Sequence, residues 1–121
     1  MSNVLIADQE WDRREVLVDT FRQARYIVHT AIVGDKMLPL LFQPPPHAII
    51  INSDLKWLSG EPAASFFIHA ALANEQWQSC LVIVLYAGDI PTWLPQHERL
   101  LVVRDPTPVE HLLYLLGEFL V

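Results

Sequence analysis

The chain has 121 residues, 52% of them hydrophobic, which suffices for one domain with a buried core and leaves no room for a second. A formal charge of −6, with eight Lys and Arg residues that form no cluster, argues against nucleic acid as a direct partner. No segment approaches the roughly 18 uninterrupted apolar residues of a membrane span, and the single cysteine, Cys80, cannot form an internal disulfide. We therefore expect one cytoplasmic domain, residues 1–121, that binds neither membranes nor nucleic acid directly.

In the first half of the chain, strand patterns alternate with helical ones. Asn3–Ala7 is apolar and too short for a helix, so it predicts a buried strand. Residues 12–24 show helical spacing of apolar side chains, with Arg13 and Arg14 on the polar face. Residues 26–32 predict a second strand, and a short helix that Pro39 confines or bends should follow it.

The second half continues the alternation. Pro44 to Pro46 predict a stiff extended connector, or alternatively a proline-rich ligand segment. A third helix is predicted to start near Pro62, and the last helix to open with a capping box formed by Thr107 and Glu110. The remaining strands are predicted at 48–51, 81–85 and 100–103. Five nearly all-apolar strands separated by helices indicate an α/β fold, a doubly wound five-stranded parallel sheet with helices on both faces.

Several motifs occur in an order and spacing that are more specific than each motif alone. They are Val4–Asp8, residues 26–31 with Gly34, Pro46 ahead of residues 48–51, and Gly60 eight residues after Asn52. Together they resemble the receiver domain of bacterial two-component response regulators, a flavodoxin-like, CheY-like fold, over essentially the whole chain. In that family a glycine follows the phosphoacceptor aspartate at this interval, so the resemblance assigns Asn52 to the acceptor position.

The resemblance implies a phosphotransfer site that this chain supplies only in part. Receivers use an aspartate nucleophile, a divalent cation held by an acidic pair after the first strand, a Thr or Ser after the fourth and a Lys after the fifth. Here Asp8 is followed by Gln9, and Asn52 is an amide, which cannot take a phosphoryl group. With one certain carboxylate, the site should hold Mg²⁺ only weakly, and we expect no cofactor and no metal centre.

The other positions of the site also depart from the family pattern. Tyr86 stands where the small hydroxyl belongs, and Arg104 or, with the register moved by one, Asp105 takes the Lys position. Asp54 is the alternative candidate for the nucleophile, although an aspartate at such a place is more commonly a solvated loop residue. Between Tyr86 and Arg104 the chain is shorter than in receivers and carries Pro91 and Pro95, so the fourth helix should be shortened or irregular.

These departures predict a pseudo-receiver without catalytic activity that acts by protein association. The alternative is a ligand-responsive or phospho-responsive switch, in which a residual pocket still binds a small anion or cation. That pocket would be edged by Asp8, Asn52, Trp57, Tyr86 and Arg104.

Two further features could serve recognition. Trp11, Trp57 and Trp93 follow strands one, three and four, and could form either a recognition surface or a shield over the end of the sheet. The last helix is apolar over more than one stripe, which suggests a homodimer or partner interface or, alternatively, a deeply packed helix. Its candidate interface residues are Leu112, Leu115, Leu116, Phe119 and Leu120.

Overall fold

The protein forms an open sheet covered on both faces by helices; the computed structural model describes residues 2–120. Strands β1 to β5 comprise Asn3–Ala7, Ile27–Ala31, Ala48–Asn52, Leu81–Tyr86 and Leu100–Arg104. Helices α1 to α4 comprise Trp11–Gln23, Gly34–Met37, Ala64–Ala73 and Val109–Phe119. Short 3₁₀ segments follow α2 and α3, at Leu38–Phe42 and Glu75–Trp77.

The five strands are parallel and lie in the order β2-β1-β3-β4-β5. This confirms the predicted doubly wound parallel sheet. Since side chains alternate along a strand, each strand feeds two cores. On one face Leu5 and Ile51 pack with Phe67 of α3, and on the other Ile6 and Ile83 pack with α1 and α4.

Two connecting segments are irregular: the one after α2 and the one between β4 and β5. Because Pro39 cannot continue an α-helix, α2 ends at Met37 and passes into the 3₁₀ segment, as predicted. Between β4 and β5, residues 87–99 contain no helix, which confirms the expected loss of regular structure there. Trp93 and Leu94 from this segment pack instead against the core on the α2–α3 face.

Two helix starts differ from the prediction. α3 begins at Ala64, because Pro62 pairs with Lys56 in an isolated β-bridge and lies outside the helix. No side-chain oxygen caps α4. The predicted capping box is wrong because Pro108 occupies the N-cap with an extended ψ of 136°.

Candidate functional site at the carboxyl edge of the sheet

The carboxyl end of β1 holds a buried acid that is paired with an arginine of its own chain. Asp8 is 1% exposed, and its Oδ1 accepts hydrogen bonds from the backbone N–H of Glu10 at 2.9 Å and from Nη2 of Arg13 at 2.8 Å. Its Oδ2 accepts from Nε of Arg13, so the two side chains form a bidentate pair. Bidentate arginine–carboxylate pairs combine charge attraction with a fixed geometry. Both carboxylate oxygens of Asp8 are therefore engaged by partners of the same chain.

The same guanidinium reaches two more carboxylates. Nη1 of Arg13 lies 3.3 Å from Oδ2 of Asp105, after β5, and 3.4 Å from Oε2 of Glu10. The hydrogen bonds that Arg13 donates to Asp8 raise the pKa of Arg13, partial burial opposes this, and the charges of Asp8, Asp105 and Glu10 raise the pKa further. A fixed positive charge thus stands among three carboxylates at the edge of the sheet.

This donor set does not fit a divalent cation. Mg²⁺ requires oxygen ligands in near-octahedral geometry, and both carboxylate oxygens of Asp8 already face the guanidinium. Within residues 2–120, no three His, Cys, Asp or Glu side chains are arranged to hold a metal ion.

Asn52 ends β3 beside this cluster and is itself engaged with the backbone. It is 5% exposed, and its Oδ1 accepts from the backbone N–H of Asp54 at 2.9 Å. This local turn is typical of Asn and Asp side chains. Asp54, the rival nucleophile, lies on the exposed turn that follows and not in the strand.

Gln9 clamps this turn to the end of β1. Its Nε2 donates to the backbone carbonyl of Asp54 at 2.9 Å, and its Oε1 accepts from the backbone N–H of Lys56 at 3.0 Å. A carboxylate in the same place has no proton to donate to a carbonyl. The amide at position 9 therefore has a structural reason, because it provides the donor and the acceptor that the two loops need.

The residues at the ends of β4 and β5 make two separate contacts. The guanidinium carbon of Arg104 lies 5.1 Å from the ring centroid of Tyr86, and its Nη1 donates to the carbonyl of Gly88 at 2.8 Å. Asp105, not Arg104, contacts Arg13. Of the two residues that the sequence offers for the position after β5, the acid is the one that joins the Asp8 cluster.

The three tryptophans of the predicted aromatic rim differ in exposure and in contacts. Trp11 is 65% exposed, and the guanidinium of Arg14 lies 5.3 Å from its ring centroid. Trp57 packs against Phe66 and Phe67 of α3, at centroid distances of 5.7 and 5.0 Å. Trp93 is partly buried against the core of the α2–α3 face.

For two of the five predicted interface residues, the assignment to an interface is wrong. Leu112 and Leu116 are buried in the core that α4 shares with α1 and the sheet, because the inner stripe of the helix points there. Leu115 and Leu120 are partly buried against the same core, and Phe119 is exposed. The exposed apolar surface of α4 also includes Tyr114, which the sequence prediction omitted.

Arg13 contacts the acids at the carboxyl edge, although helical spacing alone predicts that it lies with Arg14 on the polar face of the helix. Arg14 is in fact buried, and its Nη1 donates to the backbone carbonyl of Asp8 at 3.0 Å. The place of these residues in the chain could have predicted the contact. A helix that directly follows β1 starts at the carboxyl edge of the sheet, where a long arginine side chain can reach an acid at the end of the strand.

Comparisons with known proteins rest on structure alone. No protein-family model matches the chain, and no curated protein sequence matches it. Among solved structures, a response regulator receiver protein from Sinorhizobium medicae superposes with a TM-score of 0.79 at 14% identity, covering 98% of this chain and 94% of that one. The chemotaxis response regulator CheY4 of Vibrio cholerae gives 0.76 at 19% identity, covering 98% of both chains.

A CheY-like response regulator receiver domain protein from Methanospirillum hungatei gives a TM-score of 0.74 at 18% identity, covering 97% of this chain and 95% of that one. The fold is that of a receiver domain. On this receiver fold, Asp8, Asn52 and Asp105 lie at the carboxyl ends of β1, β3 and β5, the edge where doubly wound sheets place their functional groups. Within residues 2–120, none of the helices has both the length and the apolar character to traverse a bilayer.

Proposed function

We propose that the chain is a receiver-like domain of a response regulator that signals by binding protein and does not accept a phosphoryl group. The observation that supports this most strongly is the pairing of Asp8 with Arg13, next to an amide at Asn52. A carboxylate that must ligate a cation is instead neutralised by a guanidinium, and the acceptor position has no carboxylate to attack phosphorus. We propose that the chain catalyses no reaction and binds neither nucleic acid nor membranes directly.

Incubation with acetyl phosphate and Mg²⁺, followed by intact-mass measurement, tests the absence of phosphotransfer. We expect no gain of a phosphoryl group, while a receiver that has an acceptor aspartate gains one under the same conditions. The variant Asn52→Asp gives a matched control for the role of Arg13: we expect it to remain poorly phosphorylated, because Arg13 still engages Asp8. A stable phosphoryl adduct on the unmodified chain would contradict the proposal.

For association, we propose the exposed face of α4 as the contact surface of a homodimer or of a partner complex. Tyr114 is 63% exposed and Phe119 is 49% exposed on this helix. Large aromatic side chains of this kind are enriched in protein interfaces. Leu115 and Leu120 at the margin of the same helix would be covered further in a complex.

Light scattering over a range of concentrations tests this surface. We expect self-association that Tyr114→Ser and Phe119→Ser each weaken, with Phe42→Ser as the control because Phe42 is 83% exposed and lies on the 3₁₀ segment after α2. Equal behaviour of all three variants would remove the α4 surface from the proposal. A chain that stays monomeric at the highest concentration would contradict the homodimer.

The switch that uses a residual pocket is the second candidate and is less well supported. Arg104 already lies over Tyr86 and binds the carbonyl of Gly88, while Trp57 packs against α3. The mass measurement separates the phospho-responsive form of this candidate from the pseudo-receiver.

A further inference from the structure

A cavity of about 540 Å³ lies away from the carboxyl-edge site, beside the outer strand β2. It is bordered by β1 and β2, by α2 and its 3₁₀ extension, and by the three prolines at 44–46. Its volume falls within the range of roughly 300–1,000 Å³ that is typical of small-molecule sites.

The helix that follows β2 is short, and the chain beyond it forms one border of the cavity. α2 has four residues, Pro39 diverts the chain into the 3₁₀ segment, and the proline triplet then holds it extended. The three prolines thus line the groove as well as holding the chain extended.

The charge of the lining differs from that of the protein. The chain has 14 Asp and Glu residues and a formal charge of −6. Among the described residues that line the cavity, none is Asp or Glu, whereas Lys36 and His29 are both present. An anion entering this groove meets a cation and no like charge at the wall, in contrast to most of the surface.

Further donors and an apolar wall accompany this charge. The backbone N–H of Ile27 donates to Ser2 and the carbonyl of Ala31 accepts from Asp8, so the odd-numbered residues of β2 pair with β1. Backbone N–H and C=O groups of successive residues in a strand point to opposite sides. Those of Thr30, which lines the cavity, therefore point to the free edge of the sheet. The opposite wall consists of Leu40 and the prolines.

We propose that this cavity binds a small organic carboxylate with a short apolar body. The ammonium of Lys36 pairs with the carboxylate, the edge amide of Thr30 donates to it, and the apolar body lies against Leu40 and the prolines. This proposal is independent of the phosphotransfer question, because none of these residues belongs to the Asp8 cluster.

Titration of the ¹⁵N-labelled protein with 3-phenylpropanoate tests the site, with the neutral 3-phenylpropanamide and acetate as comparison probes. We expect saturable shifts confined to β2, α2 and residues 38–46, with affinity for 3-phenylpropanoate about fivefold or more above that for either comparison probe. Equal affinity for the amide, or shifts centred elsewhere, would overturn the proposal.

The chain offers a matched pair of variants, because Lys36 and Lys56 are its only lysines and both are exposed. We expect Lys36→Gln to weaken binding of 3-phenylpropanoate about fivefold and Lys56→Gln, outside the cavity, to leave it unchanged. If both variants bind like the unmodified chain, or both lose affinity equally, Lys36 is not the anion partner and the proposal fails.

Discussion

The carboxyl edge at β1 and β3 and the groove beside β2 are both places where a ligand could meet this fold, and they treat charge in opposite ways. At the carboxyl edge, Asp8 is satisfied internally by Arg13. In the groove, Lys36 and His29 line the wall with no acid among the described lining residues. The difference shows that one long side chain can neutralise a buried acid of the same domain at one place, while a cavity lined by a lysine and no acid lies beside another strand.

The largest expected effect follows from removing the internal cation. Arg13→Ala leaves the buried carboxylate of Asp8 without its partner, and we expect a loss of about 3 kcal/mol in the free energy of unfolding, at the lower end for breaking such pairs because Arg13 is partly exposed. Urea unfolding measures it. Arg22→Ala, on the exposed last turn of the same helix, is the control and should change stability by less than about 0.5 kcal/mol.

The double variant Asp8→Asn, Arg13→Ala sharpens this test. A neutral amide at position 8 needs no counterion, so we expect the double variant to be more stable than Arg13→Ala alone. If the double variant is no more stable, the arginine contributes mainly by packing and the electrostatic closure of the edge is wrong.

An intermediate effect on stability is expected at Gly34, where α2 contacts the loop after β3. The backbone N–H of Gly34, at the start of α2, donates to Lys56 at 2.8 Å, and a Cβ at this position would lie 2.9 Å from Cε3 of Trp57 and 3.0 Å from Phe67. Gly34→Ala should therefore cost about 2 kcal/mol of stability, by thermal or urea unfolding.

Gly117→Ala is the matched control, since a Cβ there meets no atom within 4 Å and the residue lies inside α4. We expect this variant to be stabilised by about 0.5–1 kcal/mol, because alanine favours a helix interior. Similar stabilities for the two alanine variants would show that the contact between α2 and the β3–α3 loop has room for a Cβ at position 34.

A smaller effect is expected from placing a second acid beside Asp8. Gln9→Glu removes the hydrogen bond to the carbonyl of Asp54 and adds a charge near Asp8, so we expect a loss of about 1 kcal/mol in urea unfolding. Gln78→Glu, at another exposed position, should be nearly neutral. An increase in stability for Gln9→Glu would indicate that the edge prefers an acidic pair after all.

The smallest effect concerns reactivity at the far end of the sheet. Burial raises the pKa of Cys80 to about 12, so at pH 8 the native thiol stays protonated and is a poor nucleophile. We expect alkylation by iodoacetamide to be slow in the native state and fast in urea. Since the raised pKa favours the neutral thiol, its contribution to stability is present below about pH 9 and declines as the pH rises toward 12.

The sequence predicted the five parallel strands well, because each strand is a short apolar run bounded by polar residues or prolines. Pro91 and Pro95 also predicted the irregular segment between β4 and β5. It did not predict the Arg13 pair, since helical spacing alone assigns a charged side chain to solvent. It also could not divide the apolar residues of α4, because a helix that is apolar on more than one stripe does not reveal which stripe faces the core. Only the packing of Leu112 and Leu116 decided that.

Titration of the ¹⁵N-labelled protein with Mg²⁺, followed at the amides of Asp8, Glu10 and Asn52, tests the closure of the carboxyl edge most directly. If Arg13 supplies the positive charge at this edge, these amides show no saturable shift up to about 10 mM Mg²⁺. A saturable shift centred on Asp8 and Asn52 at lower concentration would contradict it, because Mg²⁺ would then compete successfully with the guanidinium.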